Sequence, residues 1–160
     1  MDRCSGILMH ISSLPSPYGI GTLGRAAYDF VDFLRDAGQK YWQLLPLGPI
    51  SYGDSPYQSF STFAGNPYFI DLDLLAADGL LDSAGLEKIN WGTNPRYVDY
   101  GKIYDSRFRV LREAFRSGFD RDRGAVEAFR EKNPWLPNYA LFMAVKKHFG
   151  MKSWLDWPDK

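Results

Sequence analysis

Gly6-Ile7-Leu8-Met9-His10-Ile11 and Tyr41-Trp42-Gln43-Leu44-Leu45 are two short, nearly continuous apolar runs, and between them Ala27, Phe30, Val31 and Leu34 recur at helical spacing. Ser12, Ser13 and Pro15 bound the first run and Pro46-Leu47-Gly48-Pro49 the second, so each has a strand's length and no polar face, the pattern of a strand buried on both sides. The helix between them carries Asp29, Asp32, Arg35 and Asp36 on its outer side, and Gly38 follows where a left-handed residue closes a helix. Two apolar strands joined by a helix predict parallel pairing through a right-handed crossover, hence an α/β fold. The loops after the strands, residues 12–24 and 46–67, must then leave from one edge. In barrels and doubly wound sheets that carboxyl edge is where ligands bind.

Composition narrows the function from the other side. The 160 residues hold 19 basic and 19 acidic side chains and are 45% hydrophobic, a balance that suits a globular segment and offers no field for a polyanion. Nucleic acid is not an expected partner. The run Asp120-Arg121-Asp122-Arg123 alternates in sign and is expected to be a solvated turn between helices. Cys4 is the single cysteine, with no mate for a disulfide and no second soft ligand at metal spacing, which fits a reducing compartment without metal or cofactor. The apolar stretch near the amino terminus is too short for a signal core or a membrane span, so the expected location is cytoplasmic, with no membrane partner.

Further along, Phe69-Ile70-Asp71-Leu72-Asp73-Leu74 alternates briefly before Asp78-Gly79. Tyr104, Phe108, Leu111 and Phe115, with Ile103, Val110 and Ala114 beside them, predict a long amphipathic helix ending at Gly118. Ala125, Val126 and Phe129 predict a shorter one. Asn138 would cap a final, largely buried helix whose last turn holds Lys146, Lys147 and His148 before Gly150, basic groups well placed against the helix dipole. Trp154 and Trp157 then stand near the end with little sequence left to pack on them. Two parallel strands are too few for a stable sheet, so the chain is expected to be part of a larger domain.

Residues 51–68, Ser51-Tyr52-Gly53-Asp54-Ser55-Pro56-Tyr57-Gln58-Ser59-Phe60-Ser61-Thr62-Phe63-Ala64-Gly65-Asn66-Pro67-Tyr68, set aromatic rings beside hydroxyls, amides and a carboxylate. Pyranose rings present apolar C–H faces rimmed by hydroxyls, and a site for them wants flat aromatic area with short polar groups around it. An aromatic cap on a hydrophobic core would use many of the same residues. Asp71 and Asp73 follow this loop and are expected to be surface or capping carboxylates. His10, at the end of the first strand, is expected to be held by a structural hydrogen bond, a ligand role being the alternative.

The motifs Ser5-Gly6-Ile7-Leu8-Met9-His10, Ser13-Leu14-Pro15, Pro17-Tyr18-Gly19-Ile20-Gly21, Tyr41-Trp42-Gln43-Leu44-Leu45-Pro46-Leu47-Gly48-Pro49, Tyr52-Gly53-Asp54-Ser55-Pro56-Tyr57-Gln58-Ser59-Phe60-Ser61 and Phe63-Ala64-Gly65-Asn66-Pro67 together resemble the opening of the amylomaltases of glycoside hydrolase family 77. Val98-Asp99-Tyr100-Gly101 and the segment from Asn138 to Lys146 extend the resemblance along the chain. It implies the N-terminal part of a (β/α)₈ TIM barrel with inserted, mostly helical subdomains: residues 1–50 as the first strand, helix and strand, residues 51–160 as substrate loop and insertion. It also implies transfer of α-1,4-glucan segments between maltooligosaccharides by a retaining double displacement. Such chemistry takes two carboxyl groups about 5 Å apart, and the resemblance puts both on later strands, outside this chain. Carried over by position, Tyr57 would stack on the sugar beside the scissile bond, and Ser55 would line the same cleft. Tyr52 and Tyr100 would hold glucan in an outer groove. Asp54, Gln58 and Asn66 would shape the loop.

Overall fold

In a computed structural model, residues 3–50 and 53–158 are described. Strand β1 (Gly6–Leu8), helix α1 (Arg25–Asp36) and strand β2 (Tyr41–Gln43) follow in the expected order. The strands pair in parallel with Gly6 opposite Tyr41, Ile7 opposite Trp42 and Leu8 opposite Gln43. Backbone bonds from Lys40 N–H to the Ser5 carbonyl (2.9 Å) and from Met9 N–H to the Gln43 carbonyl (3.1 Å) extend the ladder at both ends. Trp42 locks the register, because its indole N–H donates to the Met9 carbonyl at 2.6 Å. Gly38 closes α1 at φ 68, as the sequence predicts.

The strands are not buried on both faces. Leu8 is 54% and Tyr41 64% exposed. The core lies instead beneath the loops that leave the carboxyl edge: Ile11, Leu14, Tyr18 and Ile20 from the first loop pack with Tyr68, Phe69, Leu72, Leu86 and Trp91. Strand residues were expected to supply this core, but two strands bury little without neighbours.

The first compact unit runs through Gly118. Within it, segment 69–74 is no strand. Asp71 accepts the Leu74 N–H at 2.9 Å and so caps helix α2 (Leu72–Ala77). Asp82 caps α3 (Ser83–Glu87) in the same way through the Ala84 N–H at 3.1 Å. Helix α4 (Tyr100–Lys132) then buries Ile103, Arg107, Val110, Ala114 and Gly118, a stripe at helical spacing. The apolar series expected to face the core lies beside it, with Tyr104 40% and Phe115 58% exposed. Gly118 is therefore a small residue in a packed stripe and not a helix stop. The helix continues through Asp120-Arg121-Asp122-Arg123, which is no turn: Arg123 pairs with Asp120 one turn earlier at 2.6 Å, and no proline interrupts the ladder before Asn133.

The second unit begins at Phe119. Its helix α5 (Leu136–His148) starts two residues before the expected Asn138 cap, with Pro137 in the first turn, where its fixed φ suits a helix start. The helix is mostly uncovered: Leu141 is 64% exposed, and Lys146 is its one buried residue among those described. The basic last turn is as expected. Lys146 Nζ donates to the Lys152 carbonyl at 2.9 Å, which helps to fold the chain back after Gly150. Trp157, expected to lack packing, sits with its ring centroid 5.4 Å from that of Phe149 and 6.0 Å from that of Phe142.

Ile103 is completely buried. Ile103→Ala should destabilise by about 2–5 kcal/mol and Ile103→Val by about 0.5–1.5 kcal/mol. Urea unfolding should show the loss as a lower midpoint at unchanged slope.

Candidate functional site

The loop after β2 is closed at its base before it displays any side chain. Asn66 N–H donates to the Leu47 carbonyl at 2.8 Å. Ile50 and Ser59 form an antiparallel bridge just above. A Cβ at Gly48 would lie 2.4 Å from Ser59 Oγ and 3.0 Å from its Cβ, so the stems cross at a distance that suits glycine.

Serines tie the loop to itself. Ser59 Oγ donates to the Ser61 carbonyl at 2.8 Å, and Ser61 Oγ accepts the Ala64 N–H at 3.0 Å. Ser55 Oγ accepts the Tyr57 N–H at 3.3 Å, while Gln58 N–H reaches the Ser55 carbonyl at 3.1 Å. Hydroxyls that composition offers to a sugar are thus largely engaged in turns that Ser favours. Ser55 still has its hydroxyl hydrogen to donate. The turn holds up Tyr57, whose side chain is left open to solvent at 72% exposure. That leaves on the surface a ring with a flat apolar face and a polar hydroxyl.

Asp54 sits at φ 58, in the left-handed region that Asp and Asn tolerate better than most residues. Burial raises its pKa above the ordinary carboxylate value. The same carboxylate acts on the phenols of Tyr68 and Tyr100, whose pKa values rise chiefly through burial. Tyr100 opens helix α4, with its ring centroid 6.2 Å from that of Tyr68. The structure therefore joins Ser55, Tyr57 and Gln58 in one turn and associates Asp54 with Tyr68 and Tyr100. Tyr52 lies outside the described residues. Asn66 is buried at the loop's base, where its side-chain oxygen accepts the Tyr68 N–H at 3.0 Å, a shaping role.

The other candidates are structural. Besides capping α2, Asp71 accepts the Thr22 hydroxyl, and Asp73 accepts the Tyr18 hydroxyl. His10 differs from expectation: its Nδ1 is buried without a hydrogen-bond partner among the described residues, the ring meets Phe69 edge-on at 5.4 Å, and burial holds the imidazole below its ordinary pKa. Packing holds it in place. No cluster of metal-ligating side chains occurs among the described residues. Pockets of about 480 Å³ beside Leu86 and Val110 and about 710 Å³ beside Ser5 and Tyr41 are not lined by the loop.

Sequence reasoning missed Arg107. It is fully buried on α4 and donates from Nη2 to the carbonyls of Tyr68 (2.8 Å) and Ile70, immediately after the loop. A lone cation inside the stripe Ile103, Val110, Ala114 was the available signal.

An aromatic, self-tied loop at the carboxyl edge of a parallel pair defines a surface of the kind that carbohydrate-active α/β proteins use. Comparison with known proteins is specific. Residues 9–160 match the glycoside hydrolase family 77 profile described as 4-alpha-glucanotransferase, and the chain belongs to that family. It is 55% identical over 150 residues to the 4-alpha-glucanotransferase of Clostridium butyricum, covering 93% of this chain and 31% of that protein. Against the Thermus thermophilus enzyme it is 50% identical over 165 residues, covering 99% and 32%. The amylomaltase of Streptococcus agalactiae, solved in complex with acarbose, superposes with a TM-score of 0.95 at 46% identity over 99% of this chain and 32% of its own. The chain thus spans about a third of the length of these relatives.

Asp54 supplies a test of the loop's electrostatics. Its carboxylate is disfavoured in the folded state, so at neutral pH its charge costs stability, and that cost vanishes as acid protonates it. Asp54→Asn, which keeps the left-handed residue, should raise Tm at pH 7, with the advantage fading as pH falls through the carboxyl's titration range. Melting curves across that range check the sign.

Proposed function

We propose that this chain works as part of a 4-α-glucanotransferase that moves α-1,4-glucan segments between maltooligosaccharides by a retaining double displacement. Tyr57 carries the reading, because a tyrosine 72% exposed on a loop stitched by its own serines has a platform's geometry. In this reading residues 1–50 form the opening strand, helix and strand of a TIM barrel, and residues 51–160 supply the substrate loop and a mostly helical insertion. The enzyme works in the cytoplasm. Acarbose bound to the Streptococcus agalactiae amylomaltase supports an α-glucan ligand.

Each loop residue then has a task. Tyr57 stacks on the sugar next to the bond that breaks, and Ser55 donates a hydroxyl hydrogen into the same cleft while its oxygen holds the Tyr57 backbone. Stacking orients the donor sugar and keeps water from its face, which favours a sugar acceptor over hydrolysis. Tyr52 and Tyr100 grip glucan in a more distant groove, where contact is equal in ground and transition states and acts mainly on KM. Asp54, Gln58 and Asn66 fix the shape of the loop. The nucleophilic carboxylate and the acid/base carboxyl lie outside residues 1–160.

The complete enzyme should convert maltotriose to glucose and longer oligomers, whereas residues 1–160 alone should not; disproportionation by the 160-residue chain would sink this assignment. In the complete enzyme Tyr57→Ala should lower kcat/KM for maltotriose by far more than Tyr52→Ala, on the order of 100-fold against a few-fold, as expected for a ring at the reacting sugar against one in a remote groove. Equal losses would remove the division between the two tyrosines.

A further inference from the structure

The guanidinium of Arg107 stands where the substrate loop re-enters the core. All three carbonyls of the exit stem are held: those of Tyr68 and Ile70 by Arg107 Nη2, and that of Phe69 by the Leu23 N–H at 2.9 Å. From Tyr68 the connection to the loop base is short, since its N–H is held by the Asn66 side chain and the Asn66 N–H by the Leu47 carbonyl at 2.8 Å. We infer that Arg107 is a positioning residue for the glucan loop, fixing the exit stem so that the turn bearing Tyr57 meets sugar in one orientation.

The alternative is that Arg107 only fills space. Physical chemistry separates the two. Among the described residues, Arg107 Nε and Nη1 are buried without hydrogen-bond partners, and no carboxylate bonds to the guanidinium. A buried cation so poorly satisfied is a costly filler, and an apolar side chain of similar volume would commonly serve packing as well or better. A filler therefore predicts that Arg107→Met leaves folded enzyme with normal turnover. A positioning role predicts that the stem carbonyls lose their donor and the loop loses its single orientation, so catalysis falls even where the fold persists. A misplacement of about 1 Å can cost about 100-fold in rate.

This inference rests on the proposed transferase reading, and one experiment keeps the two apart. Maltotriose kinetics are measured on the complete wild-type enzyme, on Arg107→Met, Arg107→Lys and Tyr57→Ala, and on the Met and Ala changes combined, with folding monitored by circular dichroism. Absence of disproportionation by wild type overturns the transferase reading. Given wild-type activity, Arg107→Met should lower kcat/KM by about 10-fold or more, and Arg107→Lys, which still donates, should recover most of it. In the Tyr57→Ala background the Met change should cost less than about twofold, because residues acting through one another are not additive. Folded Arg107→Met with wild-type kcat/KM overturns the inference, and so do additive losses. Should Arg107→Met not fold, Arg107→Gln enters the same cycle; no loss, or an additive loss, overturns the inference there too.

Discussion

A charged group enclosed by protein must be compensated, and in the first unit that demand falls on Arg107. Burial pulls its pKa down to about 10, with the Asp71 carboxylate acting in the opposite direction from beyond hydrogen-bonding reach. Main-chain carbonyls are the direct partners, so the exit stem at Tyr68 and Ile70 is obliged to stay where α4 holds it. Asp71 is itself fixed by capping α2 and by the Thr22 hydroxyl from the loop after β1. The loops after both strands and the long helix are thereby joined around one cation, and the aromatic residues Tyr18, Tyr68, Phe69 and Trp91 close over them.

The strand, helix and strand could be read because each has a local cause: apolar runs, a 3.6-residue period and a glycine at the helix end. What could not be read depended on partners distant in sequence. Gly118 carries the same local signal as Gly38, yet one lies in a buried stripe and the other closes a helix at φ 68. Only the tertiary environment separates them. Alternating charges at Asp120-Arg121-Asp122-Arg123 mark exposure correctly and secondary structure not at all, since an exposed helix face tolerates them as well as a turn does. Arg107 was hidden because periodicity arguments count a cation as a surface residue.

The loop was legible as chemistry and misleading in its detail. Its rings and short polar residues suggested a sugar surface, but composition cannot say which hydroxyls face a ligand and which face the backbone. Ser59 and Ser61 turn inward to their own loop, and Asn66 is buried at its base. Side-chain bonds of this kind hold the loop's turns in shape, and Tyr57 remains exposed among them.

The exposed strand pair has a consequence for solubility. Among the described residues, β1 and β2 have no other neighbours, so each presents an outer edge of unpaired backbone groups, with Leu8 and Tyr41 open beside them. Such edges invite stray chains to add on. Here the pairing is three residues long, and Lys40 stands at the start of β2, so a foreign strand would gain few hydrogen bonds and would meet a charge. Brevity and charge together limit promiscuous addition at this edge.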